Sequence, residues 1–266
     1  MKKVKNHNYH MYRKILSKDN PSFSSILAGN SKGELWVNSV QNPTVALVYS
    51  HPVGGFSIMG IPEDYKCFIK FLKENIFVEV KEKGFNYFEF SFEEVSLKKQ
   101  LLETFSEKKI NQEDEYFFRK YEKSAVNVLE AYTILSVDLE LMNQLSLEVY
   151  SNPEFLIARI LESWVNYDQF FNNSLAFIAV KEKMIAGVIV GTAIYEKVLA
   201  IDIETHQDHR KKGVAKTLTQ HFVNACIQKE HIPQWNCVDS NIASRNTAES
   251  LGFQLIKKKP FYWFKI

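Results

Sequence analysis

Six residues carry the densest chemical signal in the sequence. They are Arg210-Lys211-Lys212-Gly213-Val214-Ala215, and Lys216 follows. An apolar run over residues 198–205 leads into them and a helical pattern over 213–230 leads out. The first turn of a helix has amides without intrahelical partners, and the helix dipole adds partial positive charge there. Together these make an anion site. Gly213 has no Cβ to keep an anion at a distance. Arg210, Lys211, Lys212 and Lys216 surround the same point with cations. Several successive amides suit a pyrophosphate better than a single phosphate. The same residues would also fit a solvated basic helix start after an ordinary loop. The pattern is neither GxxxxGK[ST] nor GxGxxG, so a nucleotide P-loop and a dinucleotide fingerprint are both excluded.

Titratable groups lie just upstream. Asp202 and Glu204 are two apart on one strand and share a face. Two carboxylates on one buried face need hydrogen bonds or a counter-charge, such as a neighbouring Lys. Glu204 and His206 are therefore candidates for proton transfer, with orienting the loop as the plainer role. Tyr262, in Phe261-Tyr262-Trp263-Phe264, is a third candidate, with aromatic packing as its alternative. Cys67, Cys226 and Cys237 show no CxxC pair and no metal-ligand spacing, and their low, odd count fits a reducing cytoplasm. Cys237 reads as a buried structural thiol. His7 and His10 read as a polar stretch rather than a metal site. No metal is expected.

On these residues the segment resembles the GNAT superfamily of acyl-CoA-dependent N-acyltransferases. The family's phosphate motif, [RQ]xxGx[GA], is matched at Arg210–Ala215. Its later Asn, followed by a helix ending in GF, is matched by Asn241 and Gly252-Phe253, with Ser244 at the small position. Trp235-Asn236-Cys237 and Ala248-Glu249-Ser250-Leu251-Gly252-Phe253 resemble a subgroup with WxC and AExLGF motifs. The resemblance covers Ala131 to Ile266. It implies acetyl-CoA as co-substrate and an amine, expected to be a small molecule, as acceptor. The amine would attack the thioester directly in a ternary complex. It further implies that the backbone of Ile203, Glu204 and Thr205 holds the pantetheine arm and acyl carbonyl. The amides of Lys211, Lys212, Gly213, Val214, Ala215 and Lys216 would cradle the pyrophosphate, and Asn241 would touch the arm. Two departures leave the acid and base unassigned. The family's Tyr position is Ala248, and its Glu or His position is Leu199.

The elements that must position these residues follow from periodicity. Strands are predicted over 132–137, 175–180, 185–195, 198–205, 234–238 and 253–264. Helices are predicted over 139–147 behind Asp138, from Pro153 to about Asn172, over 213–230 and over 243–251. Strands alternating with helices give an α/β fold, a mixed sheet covered on both faces, as in the GNAT fold.

The N-terminal half predicts a helix over 11–27 broken at Pro21. Strands follow over 34–38, 44–49 and 56–60, then a helix over 63–83, a strand over 85–92, a helix over 96–106 and a strand over 113–121. That order makes the N-terminal half an α+β domain and suggests a degenerate copy of the same fold. Its Ile61-Pro62-Glu63-Asp64 turn is too acidic for a pyrophosphate. The expected domains are 1–126 and 127–266, with the divide near 123–130. The dense aromatics of the first half read as core, or as one wall of a substrate pocket between the halves.

The chain has 266 residues, 45% hydrophobic and 24% charged, with a formal net charge of +2. That composition is globular and implies no general nucleic-acid or membrane surface. Nothing in it reads as a secretory signal or a membrane span, so a cytoplasmic enzyme is expected. Two other functions fit the same residues. One is a tandem GNAT-like transferase using aminoacyl-tRNA, disfavoured by the low net charge. The other is a non-catalytic CoA-binding or regulatory module, favoured to a degree by the missing Tyr and Glu.

Overall fold

The computed structural model describes residues 1–4, 9–147 and 149–266. His7 and the side chain of His10 lie outside the described residues. The chain divides into two compact units, Met1–Glu115 with Lys258–Ile266, and Tyr116–Lys257. This differs from the divide expected near 123–130, with the chain end in the second half. Hydrogen bonding explains the difference: Tyr262 to Lys265 pair antiparallel with Phe90 to Tyr87.

In the first unit the strands are β1 (Lys2–Lys3), β2 (Gly33–Val37), β3 (Val45–Ser50), β4 (Gly55–Gly60) and β5 (Tyr87–Phe92). Strands β1 to β4 are successively antiparallel, and β4 is parallel to β5. Helix α1 (Pro21–Leu27) starts at the proline that was expected to interrupt a longer helix. Proline tolerates this position because the amide it lacks would have no intrahelical partner there. The crossover from β4 to β5 comprises α2 (Tyr65–Phe71), a π-helical turn (Leu72–Ile76) and α3 (Phe77–Glu82). Asp64 caps α2, its Oδ1 accepting the Cys67 amide at 2.9 Å. A carboxylate thus occupies the place where an anion would sit. Helix α4 (Leu97–Thr104) follows β5. The core is aromatic: Phe88, Phe90, Phe105, Tyr262 and Phe264 are at most 1% exposed. A largely buried ion pair also lies in this unit, Lys259 Nζ to Glu93 Oε1 at 2.5 Å, and Asn20 Nδ2 donates to the same oxygen.

Strand β6 (Asn111–Arg119) is cut by the division between units. The second unit continues with β7 (Thr133–Ser136), β8 (Ala176–Lys181), β9 (Met184–Tyr195), β10 (Val198–Thr205) and β11 (Ile232–Val238). Strands β7 to β10 are successively antiparallel, and β10 is parallel to β11 across helix α8 (Val214–Gln228). An antiparallel meander followed by a parallel crossover is thus the pattern of both units. Helix α5 (Leu139–Ser146) is capped by Asp138, whose Oδ1 accepts the Leu141 amide.

The long helix expected from Pro153 is two helices, α6 (Glu154–Ser163) and α7 (Tyr167–Asn173). Trp164 ends the first by leaving the helical conformation, fully buried, with its indole donating to Gly191 O at 2.9 Å. Asn166 starts the second, accepting the Gln169 amide. Helix α9 (Ile242–Ser250) and strand β12 (Gln254–Lys265) complete the chain.

Helix α8 is fixed by its spacing. Val214, Leu218, Phe222 and Cys226 recur every fourth residue and are all at most 1% exposed. Each large apolar side chain in that stripe contributes about 1.5–3 kcal/mol by leaving water. A Cβ at Gly187 of β9 would lie 2.7 Å from Val214 Cγ1 and 3.1 Å from Leu218 Cδ1. Glycine there lets the start of α8 lie directly on the sheet. Among the described residues no helix is long and apolar enough to cross a membrane.

Candidate active site

The site is built around the end of β10. Val198 to Ile201 pair with Ile232 to Trp235 of β11, and the pairing stops there. Asp202 to Thr205 continue along β9 only, opposite Val190 to Gly187. The change coincides with a bulge between Ala200 and Ile201. Bulges bend a strand and raise its local twist. The β11-facing edge of residues 202–205 therefore has no strand partner among the described residues.

Alternation decides which backbone groups face that edge. His206 N donates to Ala186 O, toward β9. Glu204, two residues earlier, faces the same way, and its carbonyl oxygen lies 3.3 Å from where a Gly187 Cβ would be. Ile203 and Thr205 face the open edge. Of the three backbones expected to hold the pantetheine arm and acyl carbonyl, strand geometry turns that of Glu204 away.

A short 3-10 turn (Gln207–His209) leads from β10 into the basic loop. Lys211 and Gly213 have φ of 59° and 83°. The left-handed conformation costs an L-residue about 1–2 kcal/mol, and glycine almost nothing. Thr217 N donates to Gly213 O at 3.0 Å, so the amides of Val214, Ala215 and Lys216 precede the helical ladder. No acidic residue lies in this first turn. Two of the cations hold the loop itself: Arg210 Nε donates to Thr205 O at 3.2 Å, and Lys212 Nζ to Asp208 O at 2.7 Å. Lys211 and Lys216 are exposed and have no partner among the described residues.

His209 packs beneath the loop, 8% exposed. Its Nδ1 lies 3.0 Å from the Tyr132 hydroxyl. Burial, with the charges of Lys212 and His206, pushes its pKa below the usual imidazole value. The neutral ring is thus a structural member of the loop. Its neighbour His206 drew attention in the sequence and His209 did not, because nothing local marks it as buried.

Asp202 and Glu204 share one face as expected, and their counter-charge is an arginine. Arg159 of α6 pairs with both carboxylates through its two terminal nitrogens. Its guanidinium carbon also lies 5.7 Å from the Phe155 ring. The lysine that the sequence suggested is replaced by a residue on a helix 43 positions upstream of Asp202. His206 lies edge-on to Phe155, centroids 6.3 Å apart, with Nδ1 3.6 Å from Asp208 Oδ2. An open groove of ≈ 420 Å³ runs here, lined in part by Glu154, Phe155, Arg159, Glu162 and His206. Glu204 is committed to an ion pair, while His206 stands on the groove wall.

Asn241 caps α9, its Oδ1 accepting the Ser244 amide at 3.0 Å. Ser244 Oγ in turn accepts from Trp235 Nε1 at 2.9 Å. These bonds tie the WxC strand to the start of α9. Ala248 and Leu199 are fully buried, so neither offers a titratable group. Cys237 is buried, as read. Tyr262 is 1% exposed in the first unit's aromatic core, stacked on Phe92 with centroids 5.5 Å apart. It stands there among packed rings, the placement that fits the packing alternative. No metal-binding group of His, Cys, Asp and Glu occurs among the described residues.

The comparisons match this architecture. A GCN5-related N-acetyltransferase-like protein from Streptococcus suis 89/1591 superposes with a TM-score of 0.60 at 18% identity, covering 88% of each chain. A GCN5-related N-acetyltransferase from Kribbella flavida gives 0.58 at 10% identity over 94% of this chain and 96% of that one. A tandem GNAT protein from the clavulanic acid biosynthesis pathway gives 0.55 at 12% identity over 89% and 83%. In sequence, the uncharacterized N-acetyltransferase YdfB of Bacillus subtilis (strain 168) is 22% identical over 102 residues, 38% of this chain and 39% of that protein. The family model for GNAT acetyltransferase matches residues 12–262. With the split strand, the glycine turn and the α8 amides already in place, this match establishes that the chain belongs to the GNAT acetyltransferase family.

Proposed function

We propose that the protein transfers the acetyl group of acetyl-CoA to the primary amine of a small molecule. The observation that carries the proposal is the parting of β10 from β11 beside an unladdered, acid-free helix start. An extended pantetheine arm has the open edge of Ile203 and Thr205 to bond to. The pyrophosphate has the amides of Gly213, Val214, Ala215 and Lys216, with Lys211 and Lys216 available as counter-charges. Asn241 stands at the neighbouring helix start, with its side-chain oxygen already used as a cap.

The acceptor amine enters through the groove beside Arg159. Glu154 and Glu162 on its wall favour a cation. His206 takes the proton as the ammonium becomes an amine. The nitrogen then bonds to the acyl carbon, the C–S bond breaks, and the proton that the new amide nitrogen sheds ends on the leaving thiolate, giving the free thiol. Holding both reactants in line supplies most of the acceleration. The ion pair of Arg159 with Asp202 and Glu204 keeps the end of β10 rigid during the step.

The test is calorimetric titration with acetyl-CoA, CoA and dephosphorylated or pantetheine-only analogues, followed by an amine screen. Micromolar binding that needs the pyrophosphate, together with amine-dependent thiol release, supports the proposal. Binding without turnover on any amine would favour the non-catalytic CoA-binding module. Binding of tRNA would favour the aminoacyl-tRNA-dependent reading.

A further inference from the structure

The first unit contains a pocket that the acetyl-transfer reading does not use. It measures ≈ 210 Å³ and is walled by Tyr49, Phe56, Val80, Phe85 and Tyr87, with Glu89 and Lys83 also on its lining. Tyr49 and Phe56 pack with centroids 4.8 Å apart. Phe85 and Tyr87, by contrast, are 56% and 55% exposed. Two aromatic rings held open to water at a cavity mouth are characteristic of a ligand site.

The charges in the pocket have a definite sign. Lys83 is already engaged by Glu34 and by Glu79. Glu89 makes no hydrogen bond and no ion pair among the described residues. Burial raises its pKa, and the nearby charge of Glu113 adds to the effect. A Cβ at Gly55 would come within 3.0 Å of Glu89 Oε1, so glycine preserves the space beside the carboxylate. A half-buried carboxylate without a counter-ion costs free energy that a bound cation would offset. Aromatic faces attract the same kind of ligand.

We infer that this pocket binds a small organic ammonium with an aryl body, its charge on Glu89 and its ring among Phe56, Phe85 and Tyr87. The size agrees, since a cavity of about 150 Å³ holds benzene and this one has room for a short aminoalkyl chain as well. The site lies wholly within the first unit and does not depend on acetyl-CoA.

The test uses the full chain with 2-phenylethylamine as probe and 2-phenylethanol as its uncharged counterpart, followed by calorimetry and tyrosine fluorescence. The amine is expected to bind at least about tenfold more tightly than the alcohol, since a charge-assisted hydrogen bond contributes about 1.5–3 kcal/mol. Glu89→Gln should abolish that preference, and its melting temperature should not fall, since the carboxylate has no partner among the described residues to lose. The exposed-site variant Tyr87→Ala should weaken binding several-fold and provides the second reading if Glu89→Gln does not fold. Gly213→Glu, in the second unit, should leave amine binding unchanged. Equal binding of amine and alcohol, no binding of either, or amine binding that survives Glu89→Gln but is lost in Phe155→Ala of the other groove would each overturn the inference.

Discussion

Replacing Gly213 tests the phosphate turn with little disturbance elsewhere. The residue has φ of 83°, and a Cβ there would meet only Leu129 Cδ2, at 3.4 Å, an ordinary contact. Gly213→Ala therefore adds backbone strain and almost no clash. The left-handed conformation costs alanine about 1–2 kcal/mol. If residue 213 relaxes in the free protein, binding must restore the strain, and Kd for CoA rises roughly 5- to 30-fold. If the turn stays left-handed throughout, the same quantity appears as lost stability instead. Gly213→Glu adds a carboxylate close to the pyrophosphate. At a separation of about 5 Å each phosphate charge repels it by about 0.8 kcal/mol in water and about 3 kcal/mol at an effective dielectric of 20. With two charges the repulsion alone totals about 1.6–6 kcal/mol, so Kd rises at least about tenfold even if all the strain falls on stability. Calorimetry with CoA, paired with thermal melts, reads both variants. A folded Gly213→Glu protein whose Kd stays within twofold of the wild type would refute the assignment of the turn.

Three further outcomes are expected. Arg159→Met leaves Asp202 and Glu204 facing each other without a counter-charge. Because both are more than a third exposed, stability should fall by only about 1 kcal/mol, while acetyl transfer should fall more than CoA affinity; an unchanged melt and rate would remove Arg159 from the site. Lys259→Met takes the ammonium from the largely buried Glu93, which keeps the Asn20 donor, and the loss should reach about 2–3 kcal/mol, partly restored by adding Glu93→Gln; a loss under about 1 kcal/mol would contradict the burial argument. The lowered pKa of His209 keeps it neutral in the folded chain, whereas the unfolded chain binds its proton from about pH 6.5 downward. His221 and His231 are shifted the same way, chiefly by burial. Melting temperature should therefore be level above that pH and fall as pH drops below it. His209→Gln, which keeps an acceptor for Tyr132, should shallow that fall, and an unaltered profile would count against a buried neutral imidazole.

Much of the second unit was legible because its signals are local. The strand, glycine turn and helix at 198–230 are written in apolar spacing and one glycine, and the left-handed φ of Gly213 is one that glycine adopts without strain. The shared face of Asp202 and Glu204 follows from strand alternation alone. Their partner was not legible, because Arg159 lies on a different element and no periodicity links the two. Trp164 continues the helical spacing of Phe155, Leu156 and Ile160, yet it ends the helix because its indole bonds to a strand carbonyl. Glu204 illustrates the same limit at the backbone. Its position in the motif suggested a cofactor contact, and the register with β9 decides which way its amide points. Tyr262 sits in an aromatic run that fits either a site or a core, and only its neighbours Phe90 and Phe92 distinguish them.

The pairing of β12 with β5 also bears on how the protein is made. Tyr262 stands opposite Phe90, and Phe264 opposite Phe88. A ribosome delivers residues 87–92 long before residues 262–265, so the first unit to emerge is the last to be finished. Until the final strand arrives, Phe88 and Phe90 have an uncovered edge, the kind of surface that chaperones hold and that aggregates. The second unit, continuous from Tyr116 to Lys257, meets no such delay. Emergence of residues 262–265, rather than synthesis of its own first segment, therefore sets when the first unit can close.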